Sequence, residues 1–229
     1  MKNIDFLINK EIAHRGIFDN TKVPENSIKA FLKAINKKYT IELDVHLTKD
    51  NEIVVFHDDT LERMTKKSGK IIDYTLKELR NIKLLDTNYT IPSLKEVLDL
   101  VDGKVGLLIE LKYDRKHHLL EKKLIEVLSD YKGEFAVQSF SPSIVSYFRF
   151  HKKDYIRGLL VNKIKCLDLV LLFCKPDFLS VNKNIQNNKS IIKFKKNKKV
   201  LAWTIKSKNE KEKYKDSFDN LICNIDECI

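Results

Sequence analysis

The sequence predicts an α/β fold, a distorted (β/α)8 barrel with a small insertion after a hairpin at its second strand. Three observations lead there. Short β-branched or aliphatic runs bounded by polar turns recur nine times along the 229 residues. Amphipathic stretches with helical spacing separate most of them, and a single separation is too short for a parallel crossover. Strands alternating with helices make βα units and a parallel sheet, and eight such strands close a barrel.

The first run, Glu11–Arg15, leads to Pro24 and a helix whose apolar residues Ile28, Phe31, Leu32 and Ile35 share one face. Thr40–Leu47 is the second strand. Only Thr48–Glu52 separates it from Ile53–His57, so that run folds back antiparallel. With the turn centred near Asp50 and Asn51, hairpin geometry pairs residues whose numbers sum to about 101 and sets His57 opposite Asp44. Residues 59–88 mix short helical and extended pieces, Thr75–Ile82 among them, and read as a small insertion capping the site end. Val105–Lys112 follows, then a helix bearing Leu120, Leu124, Ile125 and Leu128. Phe135–Phe140, Ile156–Val161, Phe178–Asn182, Val200–Ile205 and Leu221–Ile225 complete the barrel once the hairpin arm is set aside. Barrels of about 200 to 250 residues routinely form one domain, the expectation for residues 1–229.

Composition narrows the class. With 43% apolar and 33% charged residues, six glycines and four prolines, the chain is neither collagen-like nor disulfide-dense nor of low complexity. The longest apolar stretch, Leu169–Cys174, is far below the roughly 20 residues of a transmembrane helix. Met1–Lys10 lacks the apolar centre of a secretory signal, so a cytoplasmic protein is expected. Cys166, Cys174, Cys223 and Cys228 form no C-x-x-C pair and are expected to be reduced, mostly buried thiols. The net charge of +11 concentrates in Lys183–Lys215, where twelve lysines face Glu210 and Glu212. Arginine's fork would be favoured for phosphate recognition, yet 37 of the 43 basic residues are lysine. The stretch therefore reads as a solvated helix face, and no nucleic acid is expected as partner. Nothing in the sequence sets an oligomeric state.

Polar residues inside the strands carry the chemistry, because the strand ends of a barrel aim them at its mouth. Glu42 and Asp44 are two residues apart, so both project from one face while Ile41, Leu43 and Val45 face the helices. Glu110 and Lys112 repeat that spacing and alone would read as a structural ion pair. Together, Glu42, Asp44 and Glu110 make an all-oxygen set suited to a divalent metal, Mg or Ca, with Lys112 free to hold a phosphate oxygen. His14 and Arg15 end the first strand; His57 ends the hairpin arm. Two histidines near neutral pKa and an arginine that can grip phosphate bidentately complete what phosphodiester cleavage needs.

These residues lie in motifs that follow one another in a specific order: Ala13-His-Arg-Gly16, Pro24-Glu-Asn-Ser27, Ile41-Glu-Leu-Asp-Val45, Val54-Val-Phe-His-Asp58, Thr60-Leu-Glu-Arg63, Ile91-Pro-Ser-Leu94, Ile109-Glu-Leu-Lys112, Gln138-Ser-Phe140 and Ala202-Trp-Thr204. In them the sequence resembles the glycerophosphodiester phosphodiesterases. The resemblance implies a distorted βα barrel and a metal-dependent hydrolase that releases glycerol 3-phosphate and an alcohol from a small glycerophosphodiester. It implies that His14 and His57 are the acid-base pair, Arg15 and Lys112 phosphate contacts, and Glu42, Asp44 and Glu110 metal ligands. Gln138 and Trp203 would line the substrate pocket, Glu25 would start the first helix, and Asn26 would order a loop near the site. The ending Phe218-Asp-Asn-Leu-Ile-Cys-Asn departs from the family's Gly-Val-Asp-Gly-Ile-Ile-Thr-Asp type. Two alternatives remain at this stage: head-group release from a lysophospholipid on the same fold, and an inactive barrel that binds phosphorylated ligands or polyanions through Lys183–Lys215.

Overall fold

The computed structural model describes residues 2–113, 118–163 and 166–228. The strands are β1 (Ile12–His14), β2 (Thr40–Leu47), β3 (Ile53–Val55), β4 (Leu107–Leu111), β5 (Phe135–Ser139), β6 (Ile156–Val161), β7 (Phe178–Asn182), β8 (Lys199–Ile205) and β9 (Asn220–Cys223). Eight of them are parallel neighbours in the order β1-β9-β8-β7-β6-β5-β4-β2, and β2 pairs back onto β1, which closes the barrel. The helices are α1 (Asp5–Ile8), α2 (Ile28–Asn36), α3 (Leu76–Leu79), α4 (Leu94–Val101), α5 (Leu119–Leu128), α6 (Pro142–His151), α7 (Leu167–Cys174), α8 (Lys189–Lys195), α9 (Lys208–Tyr214) and α10 (Ile225–Cys228). Among the described residues no helix is long and apolar enough to cross a membrane.

Strand β3 is antiparallel to β2, as the short turn requires, but its register differs by one place from the expected one. Val45 pairs with Val55, His46 with Val54 and Leu47 with Ile53, and the Phe56 N–H donates to the Asp44 carbonyl at 3.0 Å. Phe56, and not His57, lies opposite Asp44. The cause is the turn: Thr48 N–H bonds the Glu52 carbonyl at 2.9 Å, leaving a three-residue loop that ends on Asn51 at φ 62°. Asparagine tolerates that left-handed conformation, and an odd loop centres the hairpin on Asp50 itself. A second correction concerns Glu25, which does not start the first helix. Ser27 does so as N-cap, its Oγ accepting from the Ala30 N–H at 3.2 Å.

The period-two alternation of strands sorts the barrel into two cores. Ile41, Leu43 and Val45 pack outward with Phe31 and Ala34 of α2. Inside, Ile12, Leu108, Ala136, Phe178, Leu201 and Ile222 form an apolar layer with Phe6 and Leu7 of α1. Gly158 of β6 is required by this layer, since a Cβ there would sit 2.3 Å from Cζ of Phe178. Two residues further along each strand, toward its C-terminal end, the inward side chains turn polar or aromatic: His14, Glu110, Gln138, Ser180, Trp203 and Asn224. This polar layer thus rests on an apolar floor.

Residues 59–88 hold a 3-10 turn (Ile71–Asp73), α3 and one isolated bridge, Thr60 to Lys70, with a second running from Lys83 to Thr90 just beyond. Their apolar side chains Leu61, Met64, Ile71, Leu79, Ile82 and Leu84 cluster with Val54 and Phe56 of the hairpin and with Ile91. All four cysteines are free; three are buried and Cys166 is exposed. Several lysines of 183–215 serve structure: Lys183 pairs with Glu210 at 2.5 Å, Lys199 with Asp219 at 2.9 Å and Lys211 with Glu11 at 2.9 Å.

Candidate active site

At the C-terminal end of the strands a cavity of about 120 Å³ is lined by His14, Arg15, Glu42, His57, Glu110, Lys112, Gln138 and Trp203, together with Phe140, Leu160, Thr204 and Ile222. Eight of the nine residues singled out in the sequence line it, and the ninth, Asp44, lies beneath in contact with Lys112 and Arg15. A larger hollow of about 610 Å³ lies beside Lys95, Asp99, Asp102 and Asp130, but these charged groups are exposed and make no buried cluster.

Glu42, Asp44 and Glu110 are buried, and each presents a carboxylate oxygen within 4.8 Å of the other two. Burial pushes Glu42 well above the usual carboxylate range, with Asp44 and Glu110 adding repulsion. Burial and the Asp44 charge push Glu110 up to about 7. Burial acts on Asp44 in the same direction, but Lys112 and Arg15 overcome it and hold this group below the ordinary range. Lys112 Nζ lies 2.8 Å from Asp44 and 2.5 Å from Glu110, so the ion-pair reading of Glu110 and Lys112 is realised inside the cluster. Asn26 donates from Nδ2 to Asp44 at 2.9 Å, while its buried Oδ1 has no partner.

A divalent cation fits this set. Three crowded oxygen donors, two of them pushed toward protonation by burial and mutual repulsion, are relieved by a hard cation, and an unpaired acceptor stands one amide away.

The two histidines are held differently. His14 Nδ1 lies 2.8 Å from the Asn224 amide oxygen. An amide oxygen only accepts, so Nδ1 carries the proton and Nε2 keeps its lone pair. Burial, then Arg15, lowers His14 to about 3. His57 Nδ1 instead meets the Asp58 carboxylate at 2.5 Å. Burial lowers His57 too, while Asp44 and Asp58 oppose the shift.

Behind them runs a network the sequence reading did not find. Asp58 is gripped by Arg63 through Nε at 2.5 Å and Nη2 at 3.1 Å. Arg63 also holds buried Glu25 at 2.6 and 3.2 Å. Glu25 in turn holds Arg15 at 2.7 Å, and Arg15 Nε lies 3.4 Å from Asp44. Burial works against the Glu25 charge, but Arg63 and Arg15 bring this carboxylate down to about 2. Arg15 reaches the site from a left-handed turn, φ 55°, followed by Gly16 at φ 82°, where a Cβ would meet Ala30 of α2 at 2.8 Å. On the far wall, Ser180 Oγ donates to Gln138 Oε1 at 2.7 Å and the Trp203 indole N–H to the Ser180 carbonyl at 2.9 Å. Gln138 therefore keeps its amide nitrogen as donor, and Trp203 offers ring surface with its N–H already satisfied.

Residues 14–219 match the model of the Glycerophosphoryl diester phosphodiesterase family. The chain belongs to this family. Among curated proteins it is 42% identical over 135 residues to a glycerophosphodiester phosphodiesterase of Caldanaerobacter subterraneus, covering 54% of each chain. It is 35% identical over 153 residues to one of Bacillus altitudinis, covering 62% of each. These alignments span little more than half the length of the relatives. Among solved structures, an Oleispira antarctica phosphodiesterase in complex with the product sn-glycerol-3-phosphate superposes at a TM-score of 0.84 with 24% identity over 95% of this chain and 94% of that one. A glycerophosphodiester phosphodiesterase of Thermotoga maritima superposes at 0.77 with 25% identity over 93% of each. The family fold is thus the closed barrel described above.

Asn224 was also missed in the sequence: it sets a neutral amide beside His14. The strand phase could have exposed it, since Asn224 lies two places beyond the inward Ile222. The signals for Asp58 and Arg63 were in their motifs, next to His57 and within Thr60-Leu-Glu-Arg63.

Proposed function

We propose that the protein hydrolyses small glycerophosphodiesters, such as glycerophosphocholine or glycerophosphoethanolamine, to glycerol 3-phosphate and the corresponding alcohol. The observation that carries this reading is the meeting of two differently held histidines, a three-carboxylate cluster and two cations in one small cavity. Glu42, Asp44 and Glu110 would hold a divalent ion, Mg or Ca, which when bound polarises a phosphoryl oxygen.

The chain's own residues do the rest. Arg15 and Lys112, both lining the cavity, offer two positive contacts to the phosphoryl oxygens. His14 is kept neutral by burial and has an amide partner that adds no negative charge, so its Nε2 removes the proton of the attacking water or of the glycerol 2-hydroxyl. At His57 burial also disfavours the charged form, but Asp44 and Asp58 oppose it. Of the two histidines this is the one whose surroundings support a proton on the ring, and it serves as the acid that protonates the departing alkoxide. In hydrolysis the P–O bond to water forms, the P–O bond to the alcohol breaks, and one proton passes to each side. If the 2-hydroxyl attacks first, a cyclic phosphate forms and water opens it in a second turn of the same chemistry. Gln138 hydrogen-bonds a glycerol hydroxyl and Trp203 packs on its carbons. Residues 59–88 cap the site of a single barrel domain spanning 1–229, acting on a small molecule in the cytoplasm.

The test is a panel of glycerophosphodiesters assayed after chelation and again with Mg or Ca added. Release of glycerol 3-phosphate that depends on the added ion is expected. Full activity after exhaustive chelation would remove the metal from the account.

A further inference from the structure

Helix α7, Leu167–Cys174, reads Leu-Asp-Leu-Val-Leu-Leu-Phe-Cys. A barrel helix needs one apolar face, which Leu167 and Cys174 supply from buried positions. The outer face should then be polar. Instead Leu169, Leu172 and Phe173 are 68%, 67% and 57% exposed, at the i, i+3, i+4 spacing of a continuous stripe. The stripe extends onto both neighbouring helices. Arg149 of α6 donates to the Phe173 carbonyl, and the next residue, Phe150, is 60% exposed. Ser190 of α8 donates to Asp168 of α7 at 3.1 Å, and two residues on, Ile192 is 49% exposed. The exposed apolar residues of α7 are thus joined by others on the two helices hydrogen-bonded to it, a grouping that singly scattered surface residues would not give.

Its border is basic. Lys189, Lys193 and Lys196 occupy the same side of α8 as Ile192, all exposed and paired with no carboxylate among the described residues. Lys175 is exposed at the C-terminal end of α7. We propose that this face docks on an anionic lipid bilayer, with Leu169, Leu172, Phe173, Phe150 and Ile192 entering the headgroup and acyl boundary and the lysines meeting lipid phosphates. Apolar insertion and attraction to anionic lipid act together at such surfaces. A second copy of the chain suits the face less well, because pairing α8 with α8 would press unpaired lysines together in a chain of net charge +11. The proposal stands independently of the reaction, since none of these residues lines the catalytic cavity.

The experiment is co-sedimentation with vesicles of phosphatidylcholine alone and of phosphatidylcholine mixed with phosphatidylglycerol. The native protein should sediment with the mixed vesicles, less so at high salt, and remain in solution with the neutral ones. The double variant L169E/F173E and the triple variant K189E/K193E/K196E should each lose about tenfold or more of the bound fraction. Both should keep native thermal unfolding and native turnover of a soluble diester. The lysine variant leaves the packing of α7 untouched, so it decides the matter even if L169E/F173E fails to fold. No sedimentation of native protein at low salt, or undiminished binding by the lysine variant, would overturn the proposal. So would a native dimer in analytical ultracentrifugation that L169E/F173E converts to monomer, which would assign the face to a second copy.

Discussion

Replacing Arg63 with alanine severs the link between the two halves of the site. Four contacts to carboxylates go, two to Asp58 at 2.5 and 3.1 Å and two to Glu25 at 2.6 and 3.2 Å, along with one to the Met64 sulfur at 3.1 Å. Breaking a fully buried ion pair costs about 3–5 kcal/mol, an exposed one about 0–1. Arg63 is 45% exposed while Glu25 is 5% exposed. Glu25 also keeps Arg15 at 2.7 Å and Asn20 at 3.2 Å. The loss of stability should therefore fall between the limits, at about 1–2 kcal/mol. Catalysis suffers by another route. Asp58 loses the fork that fixes it, so the His57 ring is less well held for proton donation, and a roughly tenfold fall in kcat corresponds to about 1.4 kcal/mol. Glu25 then keeps Arg15 as its one charged partner and draws it from the substrate, which raises KM. R63K restores charge without the fork and should recover KM more than kcat. Steady-state kinetics on glycerophosphocholine beside thermal unfolding would separate the two effects. An R63A enzyme with kcat within about twofold of native would show that the network has no part in orienting His57.

Three further predictions rest on other contacts. N224A removes the acceptor that fixes the His14 tautomer and should cost about 10- to 100-fold in kcat with little change in KM; equal kcat in N224A and native enzyme would take the base role from His14. In the cation-free protein the raised pKa of Glu110, about 7 against an ordinary 4.5, favours the folded state fully below about pH 4.5 and loses that contribution as pH rises through about 7. A bound cation must displace that proton, so the metal-induced rise in Tm should be small near about pH 5 and large near about pH 8; a rise that shrinks with pH would contradict the ligand assignment. Finally, Q138A and W203A should narrow the preference for glycerol-containing diesters over bis(p-nitrophenyl) phosphate, read as kcat/KM on both, and a preference that survives both truncations would free these side chains from recognising glycerol.

Much of the site was legible because strand alternation is a strict rule. Once Ile41, Leu43 and Val45 were placed against the helices, Glu42 and Asp44 had to point inward, and the structure has Ile41 packed near α2 and the acids buried together. Hairpin register was harder, because it depends on whether one loop residue, Asn51, takes a left-handed conformation, and a one-residue change there moves His57 from its expected partner. The Arg63–Glu25 link was illegible for a different reason. It joins residues 38 apart across a loop and an insertion, neither of which has a periodicity to read. Glu25 could pass for a helix-starting acid because its real partners, Arg15 and Arg63, come from two other segments. The closing strand formed despite its departure from the family ending, and Asn220 at its start donates to the Leu7 and Lys10 carbonyls at 2.8 and 2.7 Å.

The central claim is that His14 and His57 work as a proton-transfer pair on a glycerophosphodiester beside the Glu42, Asp44 and Glu110 cluster. The most direct measurement is phosphorus NMR of glycerophosphocholine incubated with native protein, H14A and H57A, each loaded with Mg or Ca. The account predicts conversion to glycerol 3-phosphate by the native protein and a fall of about a hundredfold or more in each folded histidine variant. Conversion at the native rate by either variant, or none by the native protein with either ion across the diester panel, would contradict it.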